Sequence, residues 1–462
     1  MLAPPIPKLA PARRRLFLFV VVAGALTVYT IGAIILPGIL FDPFMDQFIA
    51  YAPIILVALF AAPVGLAIAQ RPQRGVLMLV ALVPYWGLDV VLPIPSGWKE
   101  TIALYTLIWT VLSVIGKPRP HYKWPSMVQP FLAYFGVALI SAALVRGTQA
   151  ELGIKIGFFW ALMAVLVWML PLNARERDGV ITIIMVNGVI TALFGIWQQI
   201  VGAPRLVALG WSYNTTVRFT GHFLRSFSTF KLPFDFGFYL AMVVVIGLSV
   251  AMREPRRLRS ILFFATLPIV LTGLLFSFVR GAWLVVGIGL VYMAFTRYKW
   301  LFLGAPIALL ALLVLPGDYA TPALSGTSFG ERSQSWTSNI SQIFGPLGHG
   351  IGTAGSAAEK AEALKKLVNA YQPDNQYFKT SFEIGVVGLF FFIFLIVSAF
   401  LTVRASATRL SGRDQALAEG LTAHILGIMA ACFVATYFEI FPMDFFFWLL
   451  VGIVVTCDRA SF

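Results

Sequence analysis

The feature that most constrains this chain is a succession of apolar runs, each about 18–23 residues long, recurring from residue 16 to residue 457. As a helix, such a run crosses a hydrocarbon core about 30 Å thick. A helix also satisfies its own backbone hydrogen bonds where no water is present to do so. Composition agrees: 59% of residues are hydrophobic, 12% are charged and mean hydropathy is +0.86. A soluble domain is excluded, and the expectation is an all-α polytopic membrane protein with about fourteen transmembrane helices. The first, 16–38, follows a basic stretch, exceeds the length of a signal-peptide core and reads as an uncleaved span.

The net charge of +14 would point to nucleic acid in a soluble protein. Here its distribution follows topology instead. With the N-terminus cytoplasmic, 21 of the 34 Lys and Arg residues fall on the cytoplasmic side, in connections such as REPRRLR (253–259) and GKPRPHYK (117–124). That is the positive-inside pattern, so both termini are expected in the cytoplasm and no nucleic-acid partner is expected. Cys432 and Cys457 lie inside predicted spans and read as buried thiols. Four scattered histidines with no metal-binding spacing leave no metal site to assign.

Three arrangements carry chemistry. The first external loop holds Asp42 and Asp46, which read either as helix caps at the interface or as the acidic residue of a first-loop glycosyltransferase. The segment 201–234 is expected to be external, yet holds Arg205, Arg218, Arg225 and Lys231, with His222 among them. Cations on that side run against the orientation rule. They read as snorkelling arginines or as an anion site, the guanidinium fork matching phosphate oxygens. Arg280, in FSFVRGAWLVV, falls in a short turn between two apolar helices, with Gly281 permitting close helix approach.

The third arrangement is the only long polar segment, 318–380. A loop of that length between spans is functional or disordered, and its helical periodicity favours folding. Arg332, Trp336, Ile340 and Phe344 recur every fourth residue, so an arginine shares a face with packing anchors. The run GPLGHGIGTAG, which contains His349, offers tight turns and close approach to a substrate. Residues 358–371 form an amphipathic stripe suited to a lid on the bundle. Asp374 and Asn375 then open the next span, Asp374 as a helix cap or as a general base. Domain boundaries follow: a bundle over 1–317, the external loop over 318–383 and a second bundle over 384–462.

In order, Arg225 with SFSTFKLP, then SFVRGAWL, then ERSQSW and GPLGHGIGTAG, then PDNQYFKTSFEIGVVGL, this chain resembles the O-antigen ligase/polymerase family over about 220–395. The resemblance implies a GT-C-like glycosyltransferase in the bacterial inner membrane, with its active site on the periplasmic face. It would be an inverting enzyme that takes glycan from an undecaprenyl-diphosphate carrier, without nucleotide sugar, metal or cofactor. Arg225, Arg332 and Arg280 would grip the diphosphate, and Asp374, a departure from the family pattern, offers a carboxylate that could accept the acceptor hydroxyl's proton. Arg218, Asn375, Tyr377 and His222 would line the substrate. Ligases of this family carry a histidine before the asparagine where this chain has Asp374, which favours a polymerase-like member. Its partners would be lipid-linked oligosaccharide donor and acceptor, the bilayer, a flippase and a chain-length regulator. A ligase onto lipid A core or protein, and a lipid-glycan flippase, are the alternatives.

Overall fold

The computed structural model describes residues 63–92, 94–95, 97–115, 125–145, 147–303, 345–365 and 371–459. The chain divides into two compact units, residues 1–67 and 68–462. Of the first unit only 63–67 are described, and they are helical. Asp42, Asp46, Arg332, Trp336, Ile340 and Phe344 lie outside the described residues.

The second unit is a helical bundle. Its helices are α1 (Gln73–Leu82), α2 (Trp98–Val114), α3 (Val128–Ala142), α4 (Thr148–Phe158), α5 (Leu162–Met169), α6 (Ala174–Ala208), α7 (Pro233–Arg253), α8 (Leu258–Phe276) and α9 (Arg280–Thr296). After the loop come α10 (Gly355–Lys365), α11 (Gln376–Arg409), α12 (Gly412–Ala431) and α13 (Met443–Arg459). Among the described residues five helical stretches are long and apolar enough to cross a membrane: Thr148–Met169, Ala174–Ala208, Pro233–Arg253, Leu258–Phe276 and Gln376–Arg409. One short hairpin, β1 (Arg218–Thr220) and β2 (Phe223–Arg225), departs from the expected all-α class.

α7 is the axis. Its apolar window is 94% buried, as expected of a helix that is hydrophobic around its whole circumference. It packs against α6, α8, α9 and α12. Between helices in lipid, close packing replaces the hydrophobic effect as the main adhesive, so small residues mark the contacts. A Cβ added to Gly188 or Gly195 of α6 would stand 2.5 Å from Val243 or 2.6 Å from Phe236, and one on Gly420 of α12 2.9 Å from Ser249.

Two long helices are broken. α6 extends past its expected end to Ala208 and bends at Gly202, whose φ is +73°. α11 begins at Gln376, before the expected domain boundary, and is interrupted at Gly385, whose φ is +81°. A side chain at Gly385 would collide with the Pro346 carbonyl at 2.2 Å. The nine residues before the break therefore form a separate half-helix.

One end of the bundle is tied by ion pairs. Asn173 caps α6, its side chain accepting from the Arg175 and Glu176 N–H groups while Glu176 accepts from the Asn173 N–H, a reciprocal capping box. Asp178 then meets Arg259 at 2.6 Å, Arg413 at 2.7 Å and Arg257 at 3.5 Å. Arg177 pairs with Asp414, Arg71 with Glu176 and Arg409 with Asp458. These pairs tie α6 to α8, the turn before it and α12, and tie α11 to α13. The opposite end holds the candidate site.

Candidate functional site

The hairpin is built by the sequence RFTGHFLR. Residues Gly221 and His222 form its two-residue turn, with Gly221 at φ +59°, the conformation such turns demand. The register pairs Arg218 with Arg225. Directly opposite residues lie on one face of a ribbon, where like charges destabilise by roughly 0.2–1 kcal/mol. His222 sits exposed at the tip.

β2 docks on the turn that joins α8 to α9. The Ser226 N–H donates to the Phe276 carbonyl at 2.9 Å, Phe223 stacks on Phe278 at 6.0 Å, and Arg225 Nε donates to the Ser277 carbonyl at 3.4 Å. The Arg225 guanidinium also lies 4.9 Å above the Phe234 ring. Arg280 opens α9, whose first turn holds no acidic residue. A cation at a helix N-terminus opposes the helix dipole by about 0.3–1 kcal/mol. The fold thus brings Arg225 and Arg280 to one turn, with Arg218 across the hairpin from Arg225. Lys231 takes another role: its ammonium pairs with Asp89 at 2.9 Å. Arg205 is exposed near the end of α6.

The start of α11 approaches from the other side. Asn375, not Asp374, caps the helix, accepting from the Tyr377 and Phe378 N–H groups at 2.9 and 3.1 Å. Asp374 precedes it in the left-handed region, φ +46°. The Tyr377 hydroxyl donates to the Met429 carbonyl at 2.7 Å, and the Gln376 N–H to the Cys432 carbonyl at 2.8 Å. Arg280 and the Asp374 segment therefore flank one connection, 432–442, since a Cβ on Gly281 would lie 3.5 Å from Val434.

The glycine-rich run closes this end, though its glycines approach protein rather than the expected substrate. Gly350 and Gly352 take φ +108° and +85°, and a Cβ on Gly352 would stand 2.2 Å from the Gln149 carbonyl at the start of α4. The exposed His349 donates its N–H to the Phe382 carbonyl at 2.8 Å and stacks on the Phe382 ring at 4.3 Å. The Gly350 N–H and the Ser141 hydroxyl both donate to the Glu383 carbonyl, at 2.9 and 2.7 Å. The break at Gly385 thus frees α11 carbonyls that the loop satisfies, which is how irregular backbone survives at membrane depth. The amphipathic segment begins earlier than expected, as α10, and the Gly355 N–H donates to the Tyr371 carbonyl at 2.9 Å. Burial holds the Tyr371 phenol above its ordinary value.

Beneath the loop lies a charged cluster that sequence reasoning misses. Lys379 reaches Glu383 and, at 3.1 Å, Glu439. Glu383 Oε1 accepts from the Gly352 and Ala354 N–H groups at 3.0 and 3.1 Å, and Glu439 Oε2 from the Ser356 N–H at 3.3 Å. A cavity of about 40 Å³ is lined by Lys379, Glu383, Glu439 and Gln376, enough for a water or two. Lys379 followed four residues on by Glu383, at the head of an apolar run, is a legible signal. The distant Glu439 is not.

Fold and site define a polytopic helical membrane protein whose one end gathers arginines beside a broken helix and a buried Lys–Glu cluster. Residues 265–393, from α8 through the first half of α11, match the family described as O-antigen ligase, which supports membership of the O-antigen ligase/polymerase family. The matched segment contains Arg280, Asp374, Asn375 and Tyr377, while Arg218, His222 and Arg225 precede it. No curated protein matches the chain.

Proposed function

We propose that this chain is a polysaccharide polymerase. It transfers glycan from an undecaprenyl-diphosphate carrier onto a lipid-linked repeat unit at the periplasmic face of the bacterial inner membrane. The observation that carries the reading is the convergence of Arg225 and Arg280 on the α8–α9 turn, with Arg218 across the hairpin from Arg225, beside a segment that matches the O-antigen ligase family. Guanidinium groups fixed in place before reaction stabilise the diphosphate as the anomeric C–O bond breaks and charge builds on the leaving group. The acceptor hydroxyl attacks the anomeric carbon and gives its proton to Asp374. Arg332 joins the diphosphate anchors from the loop, while Asn375, Tyr377 and His222 line the acceptor side. The ion-paired end, rich in arginine, faces the cytoplasm, as the positive-inside pattern requires. The enzyme is an inverting, metal-independent transferase of GT-C-like architecture that works beside a flippase and a chain-length regulator.

The test uses membranes from a strain lacking this gene, which hold the native lipid-linked substrates. Purified full-length protein in nanodiscs is added and products are resolved by gel and mass. A ladder of lipid-linked multimers is the expected result. Transfer to lipid A core without a ladder would make the protein a ligase, and no transfer would overturn the reading.

A further inference from the structure

A second polar cluster, outside the arginine site, lies at the same end of the bundle. The short 3₁₀ turn Val83–Val90 is held against the turn that follows β2: the Gly87 N–H donates to the Thr229 carbonyl at 3.0 Å and the Thr229 hydroxyl to the Pro84 carbonyl at 2.7 Å. This fixes Trp86 and Asp89 relative to β2. The Lys231 ammonium lies 4.7 Å from the centre of the Trp86 ring and pairs with Asp89. The Lys99 ammonium lies 5.1 Å from the same ring and 5.0 Å from that of Phe441. Glu100 faces Lys99 at 3.6 Å and Lys155 at 3.1 Å. Trp86 meets Phe441 edge to face at 5.1 Å, and Phe441 follows Glu439 by two residues.

Three buried polar atoms here have no hydrogen-bond partner among the described residues: Trp86 Nε1, Asp89 Oδ1 and Glu100 Oε2. Asp89 has a side chain only 5% exposed, so its second oxygen is lost to solvent. Folded proteins rarely leave such groups unsatisfied, and each one calls for an explanation. Burial would push Glu100 up, but Lys99, its own backbone N–H and Lys155 hold it below its ordinary value, so it stands as an anion and an acceptor. The set is one N–H donor, two carboxylate acceptors and two ammonium donors around an aromatic pair. A phosphate dianion has no proton to donate to the two orphaned carboxylate oxygens, Asp89 Oδ1 and Glu100 Oε2, even though the lysines leave the cluster positive. A sugar ring presents hydroxyls that both donate and accept, and satisfies every member of the set. Both faces of the cluster's rings need not be open for this, because the hydroxyls meet the indole edge and the carboxylates. The Lys231 and Lys155 side chains, 31% and 54% exposed, form the solvent-facing edge of the cluster.

We infer that Trp86, Asp89, Lys99, Glu100 and Lys231 form a sugar subsite, binding a hydroxylated ring of the glycan beside the arginine anchors. The inference rests on the glycan-transfer reading, and it places the sugar next to the strand that carries Arg225.

The probe is glycan released by mild acid from the lipid-linked pool of the strain lacking this gene, which removes the diphosphate and the lipid. Saturation-transfer NMR is recorded with full-length protein in nanodiscs. Wild type is expected to transfer saturation to the ring protons of the glycan. The signal should fall at least fivefold in Trp86→Phe, which keeps a ring and loses the N–H, and in Asp89→Asn. It should persist in Arg225→Ala, because the probe has no diphosphate. Absence of transfer in wild type, equal transfer in Trp86→Phe, or displacement of the glycan by inorganic phosphate would each overturn the subsite. Titration with farnesyl diphosphate reports separately on the arginine site. Sugar binding without diphosphate binding would therefore leave the subsite standing and remove the transferase reading.

Discussion

The two ends of this bundle use arginine in opposite ways. At one end, Arg259, Arg413 and Arg257 converge on the single carboxylate of Asp178, and Arg177 and Arg409 have Asp414 and Asp458. Those contacts join neighbouring helices. At the other end, Arg218 faces Arg225 across a hairpin, Arg225 leans on the Ser277 carbonyl, and Arg280 starts a helix whose dipole opposes it. The same side chain ties helices through carboxylates in one place and rests on a carbonyl, an aromatic ring or a helix N-terminus in the other. Three acids at that second end serve lysines: Glu383 and Glu439 meet Lys379 and loop amides, and Asp89 meets Lys231.

Substitutions sharpen the contrast. Arg225→Ala and Arg280→Ala are each expected to lower turnover by about 10²–10³, with unchanged thermal unfolding, measured in the membrane-supplemented assay. Wild-type turnover in either variant would break the comparison. Lys379→Met leaves two buried carboxylates uncompensated, so stability should fall by on the order of 3–5 kcal/mol, read as early unfolding of detergent-purified protein. Gly385→Ala forces a side chain into the Pro346 carbonyl at a left-handed position. A loss of about 1–3 kcal/mol from backbone strain alone should appear as proteolysis of the 345–356 loop before the bundle melts. At the opposite end, Asp178→Asn should cost roughly 1 kcal/mol or less, since Asp178 is partly exposed. Turnover should stay at the wild-type level, and a large loss there would mean that the ion-paired end also serves the reaction.

Much of the architecture is legible in local pattern. Apolar runs announce the five long helices, and Asn173 followed by Glu176 spells a capping box. RFTGHFLR alternates about a Gly-led two-residue turn, so the pairing of Arg218 with Arg225 is implicit in the order of residues alone. The breaks at Gly202 and Gly385 are not, because a single glycine adopts positive φ only when its surroundings demand it. The expected helix cap at Asp374 falls one residue short, since Asn375 offers an equally good acceptor with better reach. The glycine run suggests substrate contact because sequence cannot say what approaches a glycine; here it is Gln149 and the freed carbonyls of α11. Glu439 joins Lys379 across 60 residues of chain, a pairing that only packing creates.

The most direct measurement is calorimetric titration of farnesyl diphosphate into nanodisc-embedded protein, comparing wild type, Arg225→Ala, Arg280→Ala and Asp178→Asn. Binding should be saturable, weaken as salt is raised, fall at least tenfold in both variants at the hairpin end, and stay unchanged in Asp178→Asn. Equal binding by all four proteins would contradict it.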